Sequence, residues 1–194
     1  MSNTSDLRFK RTEKMLKEAF LELMEKGGFQ RITIEELTQK AFISRKTFYL
    51  HYLDKYDMLN HIEEELLNGI GQIIKPIPDM IKSAGYRMDE AAEQQHLKLY
   101  IYLKEHAYLI RLLLSEKGDP VFINKIEGKI RTTFEGGYPG SIWRIPASYL
   151  ASLFAAANAG IIQEWVSGGT KETVDELARI TTIIVQGYID NCKK

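Results

Sequence analysis

The stretch "SRKTFYLHYLDKYDML", residues 44–59, gathers cations, hydroxyl groups and aromatic rings on one short predicted helix. Ser44 is a favourable N-cap, so we expect the helix to begin there and to end near Tyr52. Phe48 and Tyr52 are four residues apart and share one face, which is predicted to anchor the helix in a core. The other face carries side chains that rarely belong in a core. That face is therefore predicted to contact a polar partner.

Two further helices precede this stretch. Apolar residues at helical spacing predict a first helix that ends at Gly27 and Gly28; they are Leu16, Ala19, Phe20, Leu23 and Met24. Thr33 and Glu36 have the spacing of a capping box, which predicts the start of a short second helix. A tight turn then leads to Ser44. Two short helices joined in this way predict a helix-turn-helix.

The chemistry of the third helix suits DNA, because the second of the paired helices enters the major groove N-terminus first. Side chains that can bond base edges or touch thymine methyl groups are Arg45, Lys46, Thr47, Leu50 and His51. Groups near helix ends that can hold phosphates are Thr33, Ser44, Tyr49 and Lys55. The alternative is a polar face that only meets water. The excess of basic residues in 7–17 and 40–55 favours DNA.

Residues 9–59 resemble the DNA-binding domain of the TetR family of bacterial repressors. The resemblance lies in "TIEELTQKA" at 33–41 and in the quoted stretch, with its Thr-Phe-Tyr triplet followed by an aromatic residue and its Asp-Lys pair. It implies the same base and phosphate contacts, and a helical C-terminal domain that senses a small molecule and dimerises. One departure is Phe42, where the family usually has glycine. A left-handed backbone at this position would cost phenylalanine roughly 1 kcal/mol or more.

Helical periodicity dominates the rest of the chain, so the predicted fold is all-α. Asp54 is predicted to cap a fourth helix that Pro76 and Pro78 end. Further helices are predicted at about 88–105, 107–115, 119–135, 146–167 and 171–190, with a turn-rich loop, "GGYPGS", at 136–141. We predict a DNA-binding domain at 1–56 and a regulatory, ligand-binding and dimerisation domain at 57–194.

The last two helices are predicted to form a dimer interface. Small residues recur every four positions at Ala151, Ala155 and Ala159, which would let another helix approach closely. On the last helix, Leu177, Ile184 and Tyr188 belong to a wide apolar face. Burial within one chain is the alternative, but reading a palindrome requires a dimer.

Aromatic residues crowd the middle of the chain, and most are expected to belong to the core. Some could line an apolar ligand pocket, with one amide to orient the ligand. The candidates are Tyr100, Leu103, Phe122, Phe154 and Asn158.

Composition excludes several classes of protein. The chain has 26 basic and 26 acidic residues, so bulk charge indicates no partner. The single cysteine, Cys192, fits a reducing cytosol, and no signal peptide is seen. The weakly polar run 147–162 is too short to span a membrane.

We find no nucleophile motif and no cofactor motif, and we expect no enzyme. His61 with Glu64 or Glu65 has ligand spacing, but a solvated pair is expected, so no metal is predicted.

The expected function is that of a cytoplasmic homodimeric repressor that binds palindromic operator DNA and is released by a small molecule. The fourth helix is predicted to move between two states, with Gly69 and Gly71 as a loose section. A rival hypothesis is a helical ligand-binding or adaptor protein that keeps the fold without operator recognition. An all-α enzyme is a third.

Overall fold

The computed structural model describes residues 3–135 and 142–194 and confirms the all-α prediction. Its helices are α1 (Asn3–Gly27), α2 (Ile34–Lys40), α3 (Arg45–Phe48), α4 (Lys55–Ile74), α5 (Ile77–Ser83), α6 (Glu90–Glu105), α7 (Ala107–Leu114), α8 (Phe122–Phe134), α9 (Ala147–Ser167) and α10 (Val174–Cys192). Within the described ranges, strand pairing is limited to one antiparallel bridge between Trp143 and Lys193. The loop predicted at 136–141 lies outside these ranges.

The chain forms two compact units. The first contains the residues up to Glu65 together with Leu112–Pro120, and the second contains Leu66–Arg111 together with Val121–Lys194. The predicted division between residues 56 and 57 marks the end of a functional motif. It stays a prediction, because compactness measures packing and not function.

Local hydrogen bonds begin the helices of the first unit where the sequence predicts them. Thr33 and Glu36 form the predicted capping box of α2. Ser44 caps α3, because its Oγ accepts a hydrogen bond from Thr47 N at 3.0 Å. Asp54 Oδ1 accepts hydrogen bonds from the first amides of α4 in the same way. α1 ends at the predicted glycines, and Gly28 has a φ of 83° that favours glycine.

Helix α5 is an element that sequence reasoning missed. Pro76 and Pro78 were expected only to end the fourth helix, yet α5 follows directly, with Pro76 as its N-cap. Proline is tolerated in the first turn of a helix, since the amides there have no partner within the helix. Ile77 and Ile81 of α5 are fully buried and hold it against the core of the second unit.

In the second unit, α8 packs along α9 and α6 packs along α10. The α6–α10 contact contains a buried polar pair, in which Tyr100 Oη lies 2.5 Å from Thr181 Oγ1. Burial raises the pKa of Tyr100 to about 12. The run at 147–162 lies in α9, and one of its faces is buried, as predicted. Among the described residues, no helix is long and apolar enough to cross a membrane.

Candidate functional site

The turn between α2 and α3 keeps a left-handed backbone despite its phenylalanine. Phe42 has a φ of 53°. Its amide donates to Gln39 O at 3.2 Å, and Ile43 N donates to Thr38 O at 3.0 Å. This is a Schellman arrangement, in which glycine is the usual residue at the position of Phe42. The turn therefore carries the predicted conformational cost and leaves the Phe42 ring 89% exposed.

α3 ends at Phe48, earlier than the predicted end near Tyr52, and residues 49–51 form a turn after it. The inward side of α3 and of this segment is anchored in the first unit, as predicted. Phe48 is fully buried and Tyr52 is 8% exposed, and their rings lie 5.9 Å apart. Burial is the main cause that raises the pKa of Tyr52 to about 12, and Glu13 is the next. The anchor fixes which side chains of α3 face solvent.

The outward side of α3 and of the turn that follows it carries most of the predicted base-contacting side chains. Arg45, Lys46 and Leu50 are exposed, and 70% of the Leu50 surface is accessible to solvent. Arg45 Nη2 pairs with Glu35 Oε2 at 2.7 Å, but both side chains are about 60% exposed. Exposed pairs of this kind contribute little, so a nucleic-acid base could replace Glu35.

Hydroxyl groups lie at both ends of α3. Ser44 Oγ and Thr47 Oγ1 lie 2.8 Å apart, and Thr47 is half-buried. Tyr49, predicted to hold a phosphate, is exposed at the C-cap of α3. Ser44 and Tyr49 can therefore donate to a phosphate without a change in the fold.

Thr33 is less available than predicted. Its Oγ1 donates to Glu36 Oε2 at 2.8 Å and accepts from Glu36 N at 3.2 Å. A phosphate oxygen needs a donor, and the hydroxyl hydrogen of Thr33 is already used beside a carboxylate. A phosphate contact by this hydroxyl would require the capping box to open.

Lys55 is engaged within the first unit, so its predicted phosphate contact stays a prediction. Its Nζ donates to three backbone carbonyl oxygens: Phe29 O at 3.3 Å, Gln30 O at 2.8 Å and Ile32 O at 3.0 Å. It also lies 5.1 Å from the centre of the Phe29 ring. An ammonium group has three hydrogens, and all three are used within the first unit. Lys55 therefore ties the start of α4 to the turn that follows α1.

His51, which follows α3, packs against α1. Its ring stacks on Phe9 with centroids 3.9 Å apart, and its Nδ1 is buried without a hydrogen-bond partner among the described residues. Burial lowers the pKa of His51. A base contact by His51 would therefore use the other ring nitrogen, Nε2. Sequence reasoning missed Phe9, because a stack across 42 positions leaves no periodic pattern.

The predicted pocket residues of the second unit are part of a packed core. Tyr100, Leu103 and Phe122 are fully buried, and Phe154 is nearly so. Asn158 is buried as well, and its Nδ2 donates to Phe154 O at 2.8 Å. A ligand among these residues would require the core to open, so the pocket stays a prediction.

The predicted interface residues divide into two groups. Ala151, Ala155, Ala159 and Leu177 are buried inside their own chain, so their contact with a second copy stays a prediction. Ile184 and Tyr188 are half-buried and line a groove of about 520 Å³ along α9 and α10. Further large apolar side chains are exposed on the same two helices: Tyr149, Leu153, Ile180 and Ile183.

Two family models match the chain. Residues 16–62 match the model described as bacterial regulatory proteins, tetR family. Residues 90–187 match the model described as transcriptional regulator C-terminal region. An uncharacterized HTH-type transcriptional regulator of Bacillus subtilis (strain 168), YxbF, is 36% identical over 62 residues. Those residues are 32% of this chain and 16% of that protein.

Solved structures share the fold over nearly the whole chain. A TetR transcriptional regulator from Streptococcus agalactiae 2603V has a TM-score of 0.65 at 19% identity, and the match covers 96% of this chain and 99% of that one. The dihydroxyacetone kinase operon activator DhaS has a TM-score of 0.62 at 19% identity, with coverage of 94% and 98%. These structural matches establish the architecture of the chain.

Proposed function

The chain belongs to the TetR family of bacterial transcriptional regulators, and we propose that it binds a palindromic operator in double-stranded DNA as a homodimer. A small-molecule effector would release the operator, so that the protein acts as a repressor in the cytoplasm. Each predicted domain has its own role in this proposal. Residues 1–56 contact DNA, and residues 57–194 bind the effector and form the dimer.

The exposed face of α3 carries this proposal. Arg45 and Lys46 can reach guanine O6 and N7, and Leu50 can contact a thymine methyl group. Leu50 is exposed and takes no part in the core, where Phe48 makes the contact of α3. Ser44 and Tyr49 supply hydroxyl groups that can position the helix on phosphates.

The outer faces of α9 and α10 support a homodimer. Ile183 is 70% exposed, and Leu153 and Ile180 are also open to solvent. Exposed apolar side chains that lie on two neighbouring helices mark an interaction surface. A two-fold axis through this surface would place two copies of α3 in one operator, as half-sites of a palindrome require.

Effector release is proposed to act by population shift. The effector would prefer a packing of the dimer in which α4 has moved and the two α3 helices no longer match successive major grooves, roughly 34–36 Å apart. Helix α4 suits this role because it is continuous from Lys55 in the first unit to Ile74 in the second.

Selection of bound sites from a random DNA pool tests the proposal. We expect an enriched palindrome, and affinity for it should fall steeply as salt rises. Binding without any enriched sequence would favour the rival hypothesis, a helical adaptor that keeps the fold without operator recognition. A reporter gene placed behind the enriched site then reads the direction of regulation.

A further inference from the structure

A polar groove of about 400 Å³ lies between α4 and α8 in the second unit. The side chains that give it its chemistry are Asn68 and Gln72 of α4, Lys75 directly after α4, and Lys129, Thr132 and Thr133 of α8. Among the described residues that line the groove, two are lysines and none is acidic. The groove therefore concentrates positive charge in a chain whose total charge is zero.

The position of Lys129 depends on a glycine. The side chain of Lys129 crosses α4 at Gly71, and a β-carbon at residue 71 would overlap Lys129 Cε. Lys129 Nζ then donates to Asn68 Oδ1 at 3.3 Å. Glycine within a helix lowers stability relative to alanine. Gly71 is thus an unfavourable residue for a helix, and it lies where the side chain of Lys129 passes α4 to reach the groove.

Several donors of the groove are available to a ligand. Lys129 Nζ uses one of its three hydrogens on Asn68. Within the described chain, no hydrogen bond or ion pair holds Lys75 Nζ, and its side chain is exposed. Gln72 adds an amide on the same face of α4, three residues before Lys75. Two ammonium groups and an amide suit an acceptor that carries negative charge.

We propose that this groove binds the oxyanion end, phosphate or carboxylate, of a small anionic ligand. Charge-assisted hydrogen bonds from Lys75 and Lys129 would hold the oxyanion, since such bonds are the stronger class. The identification of this ligand with the effector rests on the proposed function; binding in the groove does not. A bound anion would bridge α4 and α8, and α4 is the helix that continues into the first unit.

Titration calorimetry on the full chain tests the groove with inorganic pyrophosphate and with citrate as probes, at an ionic strength held constant with sodium chloride. We expect saturable binding of at least one probe. Tighter binding of pyrophosphate would indicate a phosphate ligand, and tighter binding of citrate would indicate a carboxylate ligand. Lys75→Gln and Lys129→Gln should each weaken binding by about tenfold or more, because each removes a charged hydrogen bond.

The matched control is Lys104→Gln, since Lys104 is exposed on α6 and does not line the groove. It should bind the probes as the unchanged chain does. Absence of saturable binding to the unchanged chain would overturn the proposal. Equal losses in all three lysine variants would also overturn it, because they would show only the effect of net charge.

Gly71→Ala provides an independent check, because it keeps both lysines and displaces Lys129. If circular dichroism shows a folded variant, its binding should weaken by less than in Lys129→Gln, because the far end of the lysine can shift while its charge is kept; a loss greater than that of Lys129→Gln would contradict the assigned geometry. Operator binding without any anion, measured on the same proteins, separates the two proposals. Anion binding in a chain that selects no DNA sequence would support the groove and refute the proposed function.

Discussion

The phenol ring of Tyr102 on α6 lies directly against the backbone of Gly69 on α4, where a β-carbon would overlap it. Tyr102 Oη donates to Leu66 O at 3.4 Å, one turn earlier on α4. Gly71 makes the same kind of room for Lys129. The two glycines therefore serve close side-chain contacts in the second unit. Their predicted role as a loose section of α4 is not needed to explain them.

Gly69→Ala should lower the free energy of unfolding by about 1–3 kcal/mol, because the added methyl group overpacks against Tyr102. Urea unfolding measures the change. In a Tyr102→Ala background the same substitution should lower the free energy of unfolding by less, since the ring that is overlapped is then absent.

Gly128→Ala on α8 is the matched control for this test. A β-carbon there meets no atom within 4 Å. It should raise stability by up to about 1 kcal/mol through helix propensity. A similar gain in Gly69→Ala would show that glycine at residue 69 is a flexible element after all.

Lys55→Met should lower the free energy of unfolding by about 2 kcal/mol, because it leaves the carbonyl oxygens of Phe29, Gln30 and Ile32 without their donor. The salt dependence of operator binding should stay unchanged where the variant is folded. Lys46→Ala should do the reverse: its stability should be kept, and its preference for one base pair in each half-site should relax. A reduced salt slope in Lys55→Met would instead support the phosphate contact predicted from the sequence.

Leu50→Ala should relax the preference for one base pair in each half-site by about 1 kcal/mol, because an apolar contact with a thymine methyl group is lost. Tyr49→Phe should instead weaken binding to all sequences equally, since its hydroxyl is proposed to position the helix on a phosphate. Selection from a random DNA pool, run on both variants, separates the two effects. The same enriched site for Leu50→Ala and for the unchanged chain would remove Leu50 from base reading.

Ile183→Glu should convert the proposed homodimer to a monomer, because a carboxylate would be buried in an apolar interface. Analytical ultracentrifugation measures the change, and Ile101→Glu, also at an exposed isoleucine, is the control that should stay dimeric. Ala155→Trp should act differently. Ala155 is buried within its own chain, so the larger ring should lower the stability of the protomer by about 1–3 kcal/mol.

Burial lowers the pKa of His96 from 6.5 to about 4. The unfolded chain takes up a proton near pH 6.5, whereas the folded chain does so only near pH 4. The free energy of unfolding is therefore highest above pH 6.5, where His96 is neutral in both states. It falls as the pH drops from 6.5 towards 4. The expected loss is about 3 kcal/mol across the window.

Urea unfolding at stepped pH across this window measures the effect. His96→Gln keeps a group that can bond Thr182 Oγ1, which lies 3.3 Å from His96 Nδ1, but it does not titrate. Its stability should depend less steeply on pH than that of the unchanged chain. If stability depended on pH equally steeply in both proteins, groups other than His96 would cause the loss of stability at low pH.

The sequence by itself determined the features that depend on neighbouring residues. The caps at Thr33, Ser44 and Asp54 are visible as patterns, because each is a hydrogen bond to an amide two or three positions away. Helical periodicity likewise predicted the inward face of α3 at Phe48 and Tyr52. The turn at Phe42 kept the left-handed backbone that the motif implies.

Only the tertiary structure decided which neighbour each face meets. Lys55 lies beside the recognition helix in sequence, yet it bonds carbonyl groups 23 to 26 positions earlier. Periodicity showed that Ala155 faces something apolar, and the fold showed that its own chain buries it. Local spacing fixes the direction of a side chain relative to its helix. The partner depends on contacts between distant segments, which leave no periodic trace in the sequence.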